Sequence, residues 1–287
     1  MTKSFDLIRY NSAPSFADLV IDLPYYDYVS FGAIPVWRAS IQNVDFAVAP
    51  NAKIFCKTDL LRTFASFFAN IQIPIHLITG VSDINPLDIE GAKEIIANPN
   101  ILSWVGNNLP PVHEKILTLP IGFRESSRGA IRFPKVSEDK KQAVILTSHG
   151  PTSSERGAAA SNLDGVVFIQ EQKLPQEEYL SLLGDYRYSL CLQGNGLDTH
   201  RVYESIAMSC IPVVLSSPLA AMYEAIGAIV IDSLDELNPS FVESNKHAIL
   251  PDKHRVELDY WRNAVTNFQN SREKLMLTLL NDADLIK

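Results

Sequence analysis

Cysteine is scarce. The 287 residues hold three, Cys56, Cys191 and Cys210, far apart and in no Cys-x-x-Cys pair. This excludes a disulfide framework, and the lack of Cys/His ligand spacing argues against a structural zinc site. Long apolar runs are missing as well: none approaches the ~20 residues that cross a bilayer. The opening Met1-Thr-Lys-Ser-Phe-Asp has no apolar stretch of the secretory kind. An excess of basic charge is also absent, since 25 Lys+Arg against 33 Asp+Glu give a net charge of −8. Duplex binding requires an extended basic face, so a nucleic acid polymer is excluded as partner. An anionic ligand must be held by a local cluster instead. A soluble, cytoplasmic protein without a transmembrane segment is expected.

What is present is core material: 46% of residues are hydrophobic and 20% charged. The length suits two domains, or one large α/β domain. In the second half, short apolar runs at 143–147, 166–170, 188–192, 211–215 and 228–231 alternate with helical patterns. Runs of this kind are strands buried on both faces, as in a parallel sheet covered by helices. Helices are expected from Pro175 to Gly184, over 200–209 and over 218–226. The first half repeats the theme less regularly. Strands are expected at 53–56, 74–79, 101–105 and 116–120, and helices at 59–70, capped by Thr58 or Asp59, and 87–97. The aromatic stretch from Tyr25 to Trp37 reads as a loop beside a cleft or core. The charged segment 133–142 reads as the linker. Leu258, Trp261, Val265, Phe268, Leu275 and Leu279 recur at helical spacing and predict a long C-terminal helix. The expected domains are therefore 1–135 and 136–255, followed by a helix over 256–287 that packs back across them.

The stretch from Tyr188 to Val214 carries the most chemical information. A buried strand leads into Gly194-Asn195-Gly196, then a helix start capped by Asp198 or Thr199. Glycines in such a turn permit close backbone approach and unusual dihedrals. The free N–H groups of the following helix favour an anion. Arg201 and Glu204, three apart, project from one helical face. Such an Arg neutralises phosphate, and such a Glu accepts hydrogen bonds from ribose hydroxyls. The bland alternative is a tight turn followed by a surface ion pair. A dinucleotide fingerprint is disfavoured, because Thr199 stands where a third small residue belongs and Leu215-Ser216-Ser217 offers no ribose-binding acid.

The run Gln193-Gly-Asn-Gly-Leu-Asp-Thr-His-Arg-Val-Tyr-Glu-Ser-Ile-Ala-Met-Ser-Cys-Ile-Pro-Val-Val resembles the donor-binding motif of exostosin-like glycosyltransferases. Asp198, Arg201, Glu204, Cys210, Ile211 and Pro212 match that motif. Upstream, the segment from Trp104 through Asn107, His113 and Lys115 to Pro120-Ile-Gly122 resembles the family's acceptor-side segment. The stretch from Ile75 to Thr79-Gly-Val-Ser-Asp83 resembles its strand and Thr-Gly-x-x-Asp element. Together these cover about residues 53–230. The chain departs from the family at Leu192-Gln193, where the family often has Pro-Arg, and at Ser209, where it usually has Gly.

The resemblance implies a GT-B fold, two Rossmann-like doubly wound domains facing a cleft. It implies transfer of a sugar from a nucleotide-sugar donor, UDP- or GDP-linked, to a glycan or glycoconjugate acceptor, as in polysaccharide biosynthesis. Inversion is expected, with no metal and no cofactor. The donor site would comprise Gly194, Asn195, Gly196, Asp198, Thr199, Arg201 and Glu204, with Arg156 replacing the missing cation and His149 and His200 near the phosphates. The acceptor hydroxyl needs a base. Asp83 is the first candidate, then His113 and Asp27. Each has a bland alternative: a turn or cap before Asn85-Pro86 for Asp83, a hydrogen-bonded loop histidine for His113, a solvated side chain for Arg156. Two other functions stay open, a sugar-nucleotide epimerase of the same fold and a catalytically silent glycan-binding or scaffold module.

Overall fold

Two hexamers, Ile75–Gly80 (β3) and Ile101–Gly106 (β4), are buried at every position. A strand can be apolar on both faces only where helices cover both faces, and that condition shapes the whole chain. In the computed structural model, which describes residues 7–22, 48–124, 133–137, 139–147, 167–170 and 172–284, the chain forms two parallel five-stranded sheets and is an α/β protein. The Tyr25–Trp37 stretch lies outside the described residues.

The first sheet contains β1 (Leu19–Ile21), β2 (Ala52–Lys57), β3, β4 and β5 (Ile116–Thr118), in the order 1-2-3-4-5. One of its faces packs on α1 (Thr58–Ala69) and α2 (Ala92–Ala97) through Leu61, Phe68, Ile95 and Trp104. Each such fully buried side chain contributes roughly 1.5–3 kcal/mol. The cap expected at Thr58 or Asp59 is not formed. Lys57 is the N-cap, and Thr58 lies inside the helix, with its hydroxyl donating to the Gly80 carbonyl at 3.4 Å. The helix expected over 87–97 is divided: a 3-10 turn at Pro86–Asp88 and then α2, with Gly91 at φ +91° between them. The opposite face carries His76 and Ser103, whose side chains bond each other at 2.8 Å. His76 Nε2 also meets Glu273 Oε1 at 2.9 Å on the long helix α7 (Leu258–Asp284).

The second sheet contains β6 (Lys141–Thr147), β7 (Val167–Gln170), β8 (Tyr186–Leu190), β9 (Ile211–Leu215) and β10 (Ile229–Ile231), in the order 10-9-8-6-7. Here α3 (Gln176–Asp185) covers one face through Leu180 and Leu183, and α6 (Pro239–Asn245) covers the other through Phe241. Between them in sequence come α4 (His200–Ala207) and α5 (Ala220–Ala225). The strand order reverses beside β6. The carboxyl ends of β6 and β8 therefore flank a topological switch point, where α/β proteins bind ligands.

Two compact units result: Met1–Arg9 with Ile121–Tyr260, and Tyr10–Pro120 with Trp261–Lys287. The chain thus changes unit after Pro120, ahead of the charged segment read as a linker, whose Lys141 and Gln142 already belong to β6. Hydrogen bonds explain the early crossing. The Phe123 amide donates to the Ile8 carbonyl at 2.9 Å, and the Ile121 amide to Asp198 Oδ2 at 2.9 Å. Trp261 onward belongs with the first sheet, where Arg272 bonds Glu114 and the Leu102 carbonyl. Among the described residues no helix is long and apolar enough to cross a membrane.

Burial, with Lys53 nearby, lowers the basicity of His76, while Glu273 and Asp18 oppose that shift. The folded ring thus titrates below its ordinary value near 6.5, so below that pH the unfolded chain takes a proton that the fold refuses. Stability in urea is expected to fall as pH drops from 7.5 to 5, and this contribution to the slope should vanish in His76→Gln. An unchanged slope in the variant refutes the assignment.

Candidate functional site

Residues 191–199 leave the carboxyl end of β8 and turn into α4 at the switch point. Gly196, Asp198 and Thr199 are buried, Gln193, Gly194, His200 and Arg201 are half-buried, and Asn195 is exposed. Among the described residues, positive φ among glycines occurs at Gly91, Gly122 and Gly227. Gly194 and Gly196 therefore do not supply the unusual dihedrals expected of them.

Asp198 organises the turn. Its Oδ1 accepts from the Thr199 amide at 2.7 Å and the Tyr223 hydroxyl at 2.9 Å. Its Oδ2 accepts from the Tyr203 hydroxyl at 2.6 Å and the Ile121 amide at 2.9 Å. Burial pushes the carboxyl above the usual range, and these four donors pull it back. A carboxylate has about four lone-pair sites, and here protein groups use them. Asp198 was expected to touch a donor. Its place in the structure is that of a buried anchor joining turn, α4, α5 and the 121–123 segment.

Gly122 completes the arrangement. Its φ is +63°, and a Cβ there would lie 2.2 Å from the Ile8 carbonyl oxygen, so only glycine fits. Its carbonyl meets His200 Nδ1 at 2.7 Å. A carbonyl only accepts, so Nδ1 carries the proton and Nε2 holds the lone pair of the neutral ring. The Pro-Ile-Gly tripeptide thus reads Asp198 and His200 through two backbone groups.

On α4, Thr199 is the N-cap and its side chain makes no capping hydrogen bond; the first turn holds no acid. Arg201 and Glu204 follow on one face. The Arg201 guanidinium carbon lies 5.2 Å from the ring centroid of Tyr179 on α3, a residue that sequence reasoning passed over. Glu204 is buried at 8% exposure. Such an arrangement, a helix start without a side-chain cap beside an arginine, suits a phosphate. Arg156, His149 and Asp27 lie outside the described residues.

The helix ends in a Schellman motif: the Cys210 amide donates to Ser205 O at 2.9 Å and the Ser209 amide to Ile206 O at 3.0 Å. Ser209 takes φ +51°. The same motif closes α5, where Gly227 occupies that position at φ +94°.

At the carboxyl edge of the first sheet, Asp83 is exposed. The cap of the following turn is Asn85, whose Oδ1 accepts from the Leu87 amide at 3.0 Å, which takes that role away from Asp83. Beside it, buried Val81 is held at φ +56°, a strained conformation for a β-branched residue. Asn107 Oδ1 accepts from the Val81 amide at 3.4 Å, and its Nδ2 donates to the carbonyls of Leu119 and Pro120. Asn108 Nδ2 donates to Ser82 O at 2.9 Å. His113 sits elsewhere. Its Nδ1 accepts from the Lys115 amide just before β5, and Lys115 Nζ donates to Ile96 O and Asn98 O at the amino edge of the sheet. Asp83 and His113 occupy opposite edges, so the structure does not bring the two proposed catalytic residues together. Among the described residues, no three His, Cys, Asp or Glu side chains are grouped to hold a metal ion.

No family model matches the chain, and no curated protein matches it. Among solved structures it is similar to CalG4, the calicheamicin glycosyltransferase, with 14% identity over 81% of this chain and 72% of that one, at a TM-score of 0.32. It is also similar to TarM, with 11% identity over 79% of this chain and 51% of that one, at a TM-score of 0.34. Likeness at this level leaves function to be argued from the site's own residues.

Two substitutions test the site's framework without ligand. Asp198→Asn sets an amide N–H group against two donors whichever way it turns, and should cost about 3 kcal/mol in chemical denaturation. Ser209→Gly removes left-handed strain and should raise stability by about 0.5–1 kcal/mol after the entropy of glycine is counted. A neutral Asp198→Asn, or a destabilised Ser209→Gly, contradicts the respective reading.

Proposed function

We propose that the protein is a glycosyltransferase that moves a sugar from a nucleotide-sugar donor to a glycan or glycoconjugate acceptor. The observation that carries this reading is the turn at the switch point of the second sheet. It runs into a helix that opens without a side-chain cap or an acid and carries Arg201 and Glu204 three residues apart. In this reading the 194–199 turn, the α4 amides and Arg201 hold the diphosphate, and Glu204 accepts from the ribose hydroxyls. The resemblance to exostosin-like enzymes supports the same roles, and Arg156 is proposed as the cation that replaces the one missing at Leu192-Gln193.

The chemistry is one displacement. A base takes the acceptor hydroxyl proton, the acceptor oxygen bonds to the sugar's anomeric carbon, and the bond from that carbon to the diphosphate breaks. The nucleoside diphosphate leaves with the bonding pair, its charge met by Arg201 and the helix amides. Asp83 is the proposed base, exposed at the carboxyl edge of the first sheet. His113, at the other edge, is withdrawn from that role.

A panel of UDP-, GDP-, CMP- and dTDP-sugars should contain one that raises the melting temperature, since a ligand selective for the native state stabilises by about 2.7 kcal/mol at a hundredfold excess over Kd. Arg201→Ala should weaken that ligand roughly 10–100-fold. With acceptor supplied, Asp83→Asn should lower turnover by roughly a hundredfold or more at unchanged donor affinity. No stabilisation by any nucleotide-sugar defeats the proposal. Binding without transfer indicates a silent module, and interconversion of the donor sugar indicates an epimerase.

A further inference from the structure

Arg201 is a long, half-buried side chain on the first turn of α4, and such a side chain sweeps many rotamers unless something restrains it. In this structure one restraint comes from another helix. Tyr179, on α3, lies beneath the guanidinium at 5.2 Å from Cζ to ring centroid, the arrangement of a cation–π contact. The Tyr179 hydroxyl is buried and has Glu204 as its polar neighbour. Burial, together with the negative charge of Glu204, raises its ionisation well above the ordinary phenol value, so the ring stays neutral beside Arg201 and Glu204. Toward Arg201 the residue presents the flat face of its ring.

We propose that Tyr179 is a positioning residue for donor binding, its ring fixing the Arg201 guanidinium so that the diphosphate meets a preset cation. This rests on the reading of the 194–204 region as the nucleotide-sugar site. The residue acts through Arg201 and needs no contact with the ligand itself. Its ring, not its hydroxyl, does the positioning.

The test is a double-mutant cycle read as Kd, using whichever of UDP-glucose and GDP-mannose binds the wild-type chain more tightly. Tyr179→Leu is expected to weaken binding about 5–10-fold, the scale of a partly exposed cation–π contact. Tyr179→Phe should stay within about twofold of wild type in Kd, because the ring remains. In the Arg201→Ala background, Tyr179→Leu should have no further effect on Kd, which separates coupling to Arg201 from general loosening of the fold. Tyr179→Met serves in the same cycle if the Leu variant does not fold. Wild-type affinity in the ring-free variant, equal losses for Phe and Leu, or a full loss for Leu without Arg201 each overturns the proposal. If neither nucleotide-sugar binds wild type, the donor-site reading falls and this inference falls with it. If wild type binds and Arg201→Ala does not, the site reading stands whatever Tyr179 does.

Discussion

The buried carboxylate of Asp198 is the constraint around which the unit of the second sheet is arranged. An ionised carboxyl group at 4% exposure survives only if donors replace the water it has lost. Four donors come from four places in the sequence: Ile121, Thr199, Tyr203 and Tyr223. Meeting that demand brings the segment after the first sheet, the glycine turn and two helices to one point. The position of Arg201 and Glu204, three and six residues further on, then follows from helical geometry. Asp198 thereby decides where the first turn of α4 begins.

The same economy appears at the carboxyl edge of the first sheet. Asn107 and Asn108 are consecutive and buried, and between them they bond the loops that follow β3 and β5. Val81 keeps its left-handed backbone within that net, and a strained β-branched residue persists only where its surroundings over-determine it. Several positions that resemble the exostosin-like acceptor segment therefore have architectural work here. Trp104 donates to the Thr79 hydroxyl at 3.0 Å, Lys115 satisfies carbonyls at the end of α2, and Pro-Ile-Gly presents its backbone to Asp198 and His200.

Much of the fold was legible in the sequence. Continuous apolar runs flanked by turn residues mark β2, β3, β4 and all five strands of the second sheet to within about two residues, because burial on both faces leaves a signal that needs no partner to read. β1 was missed, being three residues long. The division at Gly91 and the unit change at Pro120 also escaped, since both depend on where backbone groups find partners across the chain. The site was legible as a turn with Arg201 and Glu204. Tyr179 was not, because it lies more than twenty positions upstream and joins only when α3 packs on α4. His76 carried no sequence signal; its role needs Glu273, 197 residues away. Ser209 reads as a minor change in sequence, and its left-handed backbone gives that departure a physical meaning.

The interleaving of the units bears on how the molecule is assembled during synthesis. Residues 7–9 pair with the chain near 121–123 and 256–257, while the first sheet's unit takes in everything from Trp261 onward. Neither unit is a continuous stretch. A ribosome that has released residues 10–120 has made five strands of one sheet, but the helix carrying Glu273, which answers His76, arrives only at the end. Local strand–helix pairs can form as they emerge, whereas closure of both units waits for the last thirty or so residues. Such long sequence separation slows folding and prolongs exposure of apolar strands. A truncation that removed α7 would therefore act as a folding lesion in the half of the molecule that had been synthesised first.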